Sequence, residues 1–465
     1  MLKNIDVFEK DPIPLAVLKL ALPTVLSMIV AVFYNMVDTF FVGQTGDANQ
    51  MAAVSVATPV FLFFMAAGNI FGMGGSSFLS RALGEKKYDK AKNISSFCLY
   101  AGIATGIIGM IMMLTFMRQI LEAVGTSENT FSYAKEYLSW IAYGGVAIVV
   151  STAFTNLVRG EGAAQSAMKG MMLGTVANII LDPIFILDKF FFIPCLGMGV
   201  AGAAIATVIG NLVSIVVFFC HVLSKNSVLT LSPKYFAMRH GILKGVFLIG
   251  LPASLTNILM SLSNILTNKF LVTYGDVNVA GMGIAMKANM LVIFIQLGIA
   301  AGIQPLIGYT FGAKNFNRMK SAMKFGMLCN ITAGFSLTAL YFIFTENIVS
   351  VFISDKLVIE AGIRMLRALM VSSPVVGILF MFNFSFQAMG KALPSLALAV
   401  SRQGFVFLPA IILLNMFFGL KGVVLAQPIA DYVSIFMAFC MFLYMNIGFK
   451  KMEAQTESKS LAESE

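Results

Sequence analysis

Residues 13–42 read IPLAVLKLALPTVLSMIVAVFYNMVDTFFV, and this stretch contains only two charged side chains, Lys19 and Asp38. A helix needs about 20 apolar residues to cross the hydrocarbon core of a bilayer. The stretch is therefore long enough to form a transmembrane helix that tilts, bends or projects beyond the membrane. Similar apolar runs recur along the chain, so the same interpretation applies to most of the protein.

The whole chain has the composition of a membrane protein. Of its 465 residues, 58% are hydrophobic and 12% are charged, and a soluble protein could not hide that much apolar surface. The long unbroken runs favour helices over a β-barrel, whose strands would show short alternating segments. We therefore predict an all-α integral membrane protein with twelve transmembrane helices. The predicted spans are residues 13–42, 52–82, 93–117, 132–158, 166–187, 198–223, 243–272, 279–310, 321–345, 359–388, 394–418 and 421–448.

The second half of the chain repeats the first half. Ala21-Leu22-Pro23 corresponds to Gly250-Leu251-Pro252, and after a slip of one residue Gly84 corresponds to Gly312. A duplicated apolar chain is typical of transporters built from two lobes. Six spans precede the boundary between the two copies, and because six is an even number both halves have the same orientation. We therefore predict parallel repeats in two pseudo-symmetric six-helix lobes. Further matching segments are residues 46–47 with 275–276 and residues 159–162 with 387–390.

The distribution of basic residues predicts the orientation. Lysine and arginine concentrate in the loops after the second, sixth, eighth and twelfth spans, whereas the loop after the first span has none. The positive-inside rule therefore assigns the basic loops and both termini to the cytoplasm. We expect a multi-pass protein of the cytoplasmic (inner) membrane. Its expected domains are an amino-terminal lobe (1–222), a cytoplasmic linker (223–241), a carboxyl-terminal lobe (242–450) and a disordered tail (451–465), which is polar.

Several other classes of protein are disfavoured by the sequence. The net charge of +10 is explained by membrane orientation, so we expect no nucleic-acid partner. A glycine-rich phosphate loop is not visible, which argues against direct use of ATP. The five cysteines are scattered without paired spacing. We expect no cofactor, and a monomer that contacts the lipid bilayer and small molecules.

Two acidic residues lie inside predicted spans of the first repeat. Ionisable groups in lipid are costly, so Asp38 and Asp182 need a reason to be there. Tyr34 and Asn35 precede Asp38 by four and three residues on the same helix face, and Asn178 precedes Asp182 by one turn. Each acid thus lies beside neutral hydrogen-bonding groups. We expect the coupling chemistry in the first repeat, because it holds both of these acids.

Three roles for Asp38 and Asp182 remain open at this stage. Burial disfavours a charged carboxyl group and a nearby acid adds to this effect, so the pair could load a proton outside and release it inside. Alternatively, two carboxylates with an asparagine oxygen could hold a hard cation such as Na⁺. The third role is structural, since Pro183 removes a backbone donor directly after Asp182.

A polar stripe marks the seventh span. Asn257, Ser261, Asn264 and Asn268 follow one another at intervals of four, three and four residues, which places them on one helix face. Such a stripe either lines a water-filled cavity or holds neighbouring helices together.

Four other charged residues of the second repeat have no role that the sequence assigns. Lys269 is expected to extend towards the outer interface, and Lys287 is expected at mid-depth. An ion pair between Arg402 and Asp431 is compatible with their positions on the last two spans. The many methionines and phenylalanines, 31 and 42, suit an adaptable apolar cavity, in which an acid would favour cations.

Over about residues 12–450 the chain resembles the MATE family, the multidrug and toxic compound extrusion transporters. Segments 387–391 (QAMGK) and 401–404 (SRQG) are similar to MepA-type bacterial members of the DinF-like branch. The other matching segments are residues 21–23 (ALP), 35–38 (NMVD), 84–85 (GE), 156–162 (NLVRGEG), 178–183 (NIILDP), 199–207 (GVAGAAIAT) and 304–308 (QPLIG).

The resemblance implies a two-lobe exporter with a V-shaped central cavity, which exchanges cationic or amphipathic drugs for H⁺ or Na⁺. Asp38, Asn178 and Asp182 match the amino-lobe cation site of DinF-like members, including a possible Na⁺ site, and Asn156 and Thr207 complete it. Pro23 matches the helix-bending proline of the family. Tyr34, Asn35, Asn257, Ser261, Asn264 and Asn268 are the candidate cavity residues.

The alternatives differ in what they would require of the sequence. NorM-like MATE members carry acids on spans seven and ten, whereas this chain has none on span seven and only Glu360, the second residue, on span ten. A lipid or glycolipid flippase on the related two-lobe fold should line its cavity with basic residues. An intramembrane aspartyl protease usually has a GxGD motif, which neither Asp38 nor Asp182 provides. An uncoupled channel is a further alternative. We therefore expect a transporter that is not an enzyme.

Overall fold

The computed structural model describes residues 3–190, 193–238 and 241–462, and these residues are mainly helical. The first half contains α1 (Lys3–Glu9), α2 (Ile13–Gly43), α3 (Ala48–Gly84), α4 (Tyr88–Thr115), α5 (Met117–Ala123), α6 (Glu128–Tyr143), α7 (Gly145–Gly160), α8 (Ala164–Ile186) and α9 (Gly199–Val222). The second half contains α10 (Ile242–Val272), α11 (Asp276–Gly312), α12 (Phe316–Ile343), α13 (Thr345–Ser350), α14 (Lys356–Met370), α15 (Ser373–Ala388), α16 (Ala392–Val400), α17 (Phe407–Phe418) and α18 (Leu420–Ala462).

Twelve membrane spans arise from these helices. Ten helical segments are long and apolar enough to cross a bilayer, and two bent pairs, α6 with α7 and α14 with α15, supply one span each. The eleventh span consists of α16 and α17 joined by a π-helical turn, Ser401–Phe405. The predicted all-α fold with twelve spans is therefore confirmed.

Two small elements accompany the helices. Strands β1 (Lys189–Phe190) and β2 (Ile193–Pro194) form a two-residue antiparallel pair after α8. A single 3₁₀ turn, Pro233–Tyr235, lies between α9 and α10.

The internal repeat is visible in the helix lengths. Helices α3 and α11 both have 37 residues, α4 and α12 both have 28, and α7 and α15 both have 16. The same sequence interval separates the starting residues of the two helices in all three pairs. Lys86 and Lys314 are separated by that interval as well, and they are the two non-glycine residues of the described chain with positive φ, +58° and +57°. The same backbone path is thus followed twice.

The sharp bends between paired helices do not lie at the prolines inside the long helices. Pro23 and Pro252 lie inside continuous helices, as do Pro59 and Pro305. The fourth span instead bends by 56° at Gly144, and the tenth bends by 49° between α14 and α15. A Cβ added at Gly144 would lie 2.1 Å from Val208 Cγ2, so glycine allows α9 to pack closely against the bend. At the other bend, a proline in the first turn of α15 favours the start of a new helix.

The helical packing divides the chain into two compact units. The amino-terminal unit is Met1–Asp11 with Leu22–Ser254, and the carboxyl-terminal unit is Pro12–Ala21 with Leu255–Glu465. This division differs from the lobe boundary that we expected at the linker, because α2 and α10 each contribute residues to both units.

Close backbone contacts explain why these helix segments join their units. Within the amino-terminal unit, a Cβ added at Gly250 would lie only 2.1 Å from the Ile70 carbonyl oxygen, and Ser254 Oγ donates to the Ala66 carbonyl oxygen at 2.7 Å. Within the carboxyl-terminal unit, a Cβ added at Gly302 would lie 2.7 Å from Ala21 Cα. Small residues thus allow α10 to pack on α3, and the start of α2 to pack on α11.

The expected linker, residues 223–241, is attached to the amino-terminal unit where it is described; residues 239 and 240 lie outside the described part. Tyr100 donates to the Leu231 carbonyl oxygen at 2.7 Å. The buried Glu161 carboxylate accepts from Ser227 Oγ and from the Val228 backbone N–H, both at 2.9 Å, and lies 2.6 Å from His221 Nε2.

The carboxyl end also differs from expectation. We expected a disordered tail over residues 451–465, whereas α18 continues as a helix to Ala462. Residues 463–465 lie outside the described part of the chain.

Candidate functional site

The candidate site is built by α2, α6, α8 and α9 of the amino-terminal unit. Helices α8 and α9 approach closely because both carry glycine at their contact. A Cβ added at Gly210 would lie 2.7 Å from the Gly174 carbonyl oxygen, and one added at Gly174 would lie 2.0 Å from Ser214 Oγ. This contact lies one turn from Asn178 on α8 and close to Thr207 on α9.

Thr207, on α9, links α2 and α8 at the site. Its hydroxyl group lies 3.2 Å from the Tyr34 hydroxyl group and accepts from Asn178 Nδ2 at 3.5 Å. Asn178 and Thr207 are both buried. The structure therefore brings together three residues that the sequence proposed from three separate spans.

The two acids belong to the same cluster. Asp182 is 0% exposed, Asp38 is half-buried, and the two lie near enough for their carboxylate charges to repel each other. Within the described chain, four buried oxygen atoms of the cluster have no hydrogen-bond donor: Asp38 Oδ1, Asn178 Oδ1 and both carboxylate oxygens of Asp182. Buried polar atoms in native proteins nearly always have a partner. The cluster is thus short of positive charge or of hydrogen-bond donors.

The donor set is compatible with either a proton or a hard monovalent cation. Carboxylate, amide and hydroxyl oxygens are the ligands that hard cations prefer. A proton on one carboxyl group would also remove the repulsion and supply a donor to the other acid. Asp182 is not placed as a simple cap for the backbone at Pro183, because neither of its oxygens has a recorded hydrogen bond.

Tyr137 is a site residue that the sequence analysis missed. It lies on α6, is mostly buried, and its phenol group interacts electrostatically with both Asp38 and Asp182. Tyr34 does the same from α2. A tyrosine in an amphipathic span carries no distinctive sequence signal, so only the packing of α6 reveals its position.

Two residues proposed for this region have other contacts. Asn35 is exposed, and its side chain donates to the Ala31 carbonyl oxygen of its own helix at 2.7 Å. The Asn156 amide donates to the Thr152 carbonyl oxygen at 3.0 Å and accepts from Arg159 at 3.4 Å. Among the described residues, neither side chain forms a hydrogen bond with the acids, and their part in the site remains a prediction.

The polar stripe of the seventh span belongs to the carboxyl-terminal unit. Asn257 and Asn268 are exposed, and Ser261 and Asn264 are partly exposed. Ser261 Oγ donates to the Asn257 carbonyl oxygen within the helix at 3.2 Å. Exposure of the stripe is compatible with a cavity lining, and its role remains a prediction.

The four charged residues of the second repeat to which the sequence assigned no role fall into two groups. Lys269 and Lys287 are exposed. Asp431 is 2% exposed and accepts from Arg402 Nε at 2.7 Å and from Ser372 Oγ at 2.7 Å. The suggested Arg402–Asp431 pair is therefore confirmed. The second repeat also contains a buried carboxylate, but an arginine compensates its charge.

An internally repeated set of membrane helices with buried polar groups is typical of membrane transporters. The MatE family model matches residues 23–184 and 252–413, one match in each repeat. The chain belongs to the MATE family, and its similarity to MepA proteins agrees with a MepA-type member.

Curated relatives and solved structures support this assignment. Multidrug export protein MepA of Staphylococcus aureus is 32% identical over 426 residues, which cover 91% of this chain and 92% of that protein. MepA of Staphylococcus saprophyticus is 30% identical over 438 residues, 94% of this chain and 95% of that protein. A multidrug resistance MATE transporter solved in an outward-facing conformation is similar to this chain, with a TM-score of 0.90 and 26% sequence identity. The match covers 97% of this chain and 99% of the chain of that transporter.

A further solved structure is a MOP superfamily transporter from Pyrococcus furiosus, described as having a binding pocket of reversed polarity. Its similarity to this chain has a TM-score of 0.89 and 26% sequence identity. The match covers 96% of this chain and 99% of the chain of that transporter.

Proposed function

We propose that this protein exports cationic and amphipathic organic compounds across the cytoplasmic membrane in exchange for H⁺ or Na⁺. The supporting observation is the cluster of buried, unpartnered oxygen atoms on Asp38, Asn178 and Asp182. The names of its MepA relatives, which are multidrug export proteins, support the substrate class.

The proposed coupling rests on the charge of the cluster. Two carboxylates in a low-dielectric site repel each other, so binding of one proton or one Na⁺ is favoured when the cluster faces the ion-rich side. The hydrogen bonds that Thr207 makes with Tyr34 and Asn178 fix the positions of these side chains beside the two acids. Loading an ion reduces the negative charge of the site by one, and this change can bias the protein between two conformations.

The test is transport of a cationic dye by the purified protein in vesicles. An imposed pH gradient alone and an imposed Na⁺ gradient alone are compared, without ATP. We expect one of the two gradients to drive dye accumulation and thereby to identify the coupling ion. Transport that requires ATP, or that ignores both gradients, would contradict antiport.

The role of the acids is tested in the same vesicles. We expect Asp38→Asn and Asp182→Asn each to abolish gradient-driven transport while the protein still inserts into the membrane, because neither amide can release a proton or supply a negative charge. Asp89→Asn is the matched control, since the Asp89 side chain is 89% exposed in the first turn of α4. Wild-type transport rates in both site variants would remove the proposed coupling.

A further inference from the structure

Three buried polar side chains of the carboxyl-terminal unit lie on helices that pack together near the break in the tenth span. Gln296 on α11 and Asn330 on α12 are 0% exposed, and Ser373, the first residue of α15, is 1% exposed. Gln296 Nε2 donates to the Ser373 carbonyl oxygen at 2.7 Å. The broken end of the tenth span is thus joined to α11 by a side chain.

Glycines make the space for this cluster. A Cβ added at Gly334 would lie 2.8 Å from the Ser373 carbonyl oxygen and 3.0 Å from Gln296 Nε2. A Cβ added at Gly377 would lie 2.7 Å from Asn330 Oδ1. The absence of side chains at Gly334 and Gly377 therefore makes room for polar side chains between α12 and α15.

The cluster has oxygen atoms without partners. Among the described residues, Gln296 Oε1, Asn330 Oδ1 and Ser373 Oγ are buried and make no hydrogen bond. The candidate coupling site of the amino-terminal unit shows the same feature. Three such atoms at one helix break indicate an occupant that attracts oxygen ligands.

The internal repeat shows that these polar residues are specific to the second half. In the register that aligns α3 with α11, α4 with α12 and α7 with α15, the equivalent positions of the first half all carry glycine. A Cβ added at Gly68 or at Gly145 would lie 2.7 Å or 2.4 Å from its nearest neighbouring atom. The first half therefore packs its helices directly together where the second half carries amide and hydroxyl groups. The corresponding pairs are Gly68 and Gln296, Gly102 and Asn330, and Gly145 and Ser373.

The chemistry of the three groups restricts the occupant. Amide and hydroxyl oxygens do not take up protons near neutral pH, so the cluster is not a proton site. It has no carboxylate, and neutral ligands offset the desolvation of a singly charged ion more readily than that of a divalent cation, whose desolvation cost is far larger. We propose that Gln296, Asn330 and Ser373 form a buried Na⁺ site in the carboxyl-terminal unit. The site is separate from the coupling acids and does not rest on the proposed export function.

Neighbouring contacts hold this site in a fixed shape. Ser372 Oγ donates to Asp431, whose charge is balanced by Arg402, and Tyr432 donates to the Val371 carbonyl oxygen at 2.9 Å. Both residues between α14 and α15 are therefore bonded to α18. A site held in place before binding loses less conformational entropy when the ion enters.

The experiment measures binding of radioactive Na⁺ to the full-length purified protein that carries Asp38→Asn and Asp182→Asn. This background removes the acids of the other site, so any saturable binding must come from elsewhere. We expect saturable Na⁺ binding, competition by Li⁺, and weak competition by choline. A parallel measurement follows the thermal unfolding midpoint against Na⁺ at constant ionic strength.

Matched variants locate the site. Adding Gln296→Met and Asn330→Leu, which preserve size, should raise the Na⁺ Kd by at least about tenfold, and Ser373→Ala should weaken binding with less risk to folding. Gln304→Met is the control on the same helix, because Gln304 is also buried but interacts with Gln387. Absence of saturable binding in the acid-free protein, or equal binding in the cluster variants, would show that the cluster holds water only.

Discussion

At the residue scale, the Thr207 hydroxyl group is the contact point between Tyr34 and Asn178. Thr207→Val keeps the shape of the side chain and removes that group. A buried hydrogen bond contributes about 0.5–1.5 kcal/mol, so we expect the ion concentration for half-maximal transport to rise about 2- to 10-fold.

The control for Thr207 is Thr155→Val, because the Thr155 hydroxyl group donates within its own helix to the Ser151 carbonyl oxygen at 2.8 Å. The control should leave the ion dependence unchanged. Equal ion dependence in Thr207→Val and in the wild-type protein would mean that the threonine does not shape the site.

The Arg402–Asp431 pair gives a second residue-scale prediction. Removing one member leaves the other as an uncompensated buried charge, which typically costs about 3–5 kcal/mol. We therefore expect Asp431→Asn alone and Arg402→Gln alone to lower the thermal unfolding midpoint strongly. The double variant should be more stable than either single variant, and the midpoints of the three proteins in detergent provide the measurement. Additive losses would contradict a direct pair.

At the scale of elements, the contact between α8 and α9 depends on Gly210. A methyl group there would lie 2.7 Å from the Gly174 carbonyl oxygen and 3.1 Å from Asn178 Cβ. We expect Gly210→Ala to force the helices apart, to destabilise the protein by about 1–3 kcal/mol and to impair transport. The unfolding midpoint and vesicle transport are measured together.

Gly283→Ala is the matched control for this change, since Gly283 is also helical but a Cβ added there would meet nothing within 4 Å. Alanine has the higher helix propensity, so this variant should be as stable as the wild-type protein or slightly more so. Similar losses in both glycine variants would indicate a general effect of alanine rather than a specific contact.

The elements also show the limits of pattern analysis. Apolar periodicity and length located all twelve spans, because a bilayer requires long apolar helices. The breaks in the fourth and tenth spans were not predicted. Hydropathy gave no sign of a break at Gly144 or Ser372 because most of the residues near them are apolar, although α6 and α14 carry more charged side chains than α7 and α15. The Ser-Ser-Pro segment at the start of α15 was the available signal, because proline favours the first turn of a helix.

At the scale of the whole molecule, the basic loops predict the orientation. We expect a cysteine introduced at Asn49, in the first turn of α3, to react with an impermeant maleimide in intact cells. A cysteine at Lys87, in the loop between α3 and α4, should react only after the cells are permeabilised. The exposed Cys220 and Cys440 are first replaced by serine. The reverse labelling pattern would place the termini outside the cytoplasm.

The sequence by itself determined the membrane class, the twelve helices and the duplication, because these depend on composition, length and internal similarity. It also selected Asp38, Asn178 and Asp182, since polar groups in lipid are rare and costly. Only the tertiary structure decided which side chains share a site. Tyr137 comes near both acids through the packing of α6. Of the two residues that the family resemblance added, Thr207 contacts Asn178, whereas Asn156 turns to Arg159. The first part of α2 belongs to the carboxyl-terminal unit, and the first part of α10 belongs to the amino-terminal unit. These placements depend on close contacts at small residues that are far apart in sequence, which no local pattern encodes.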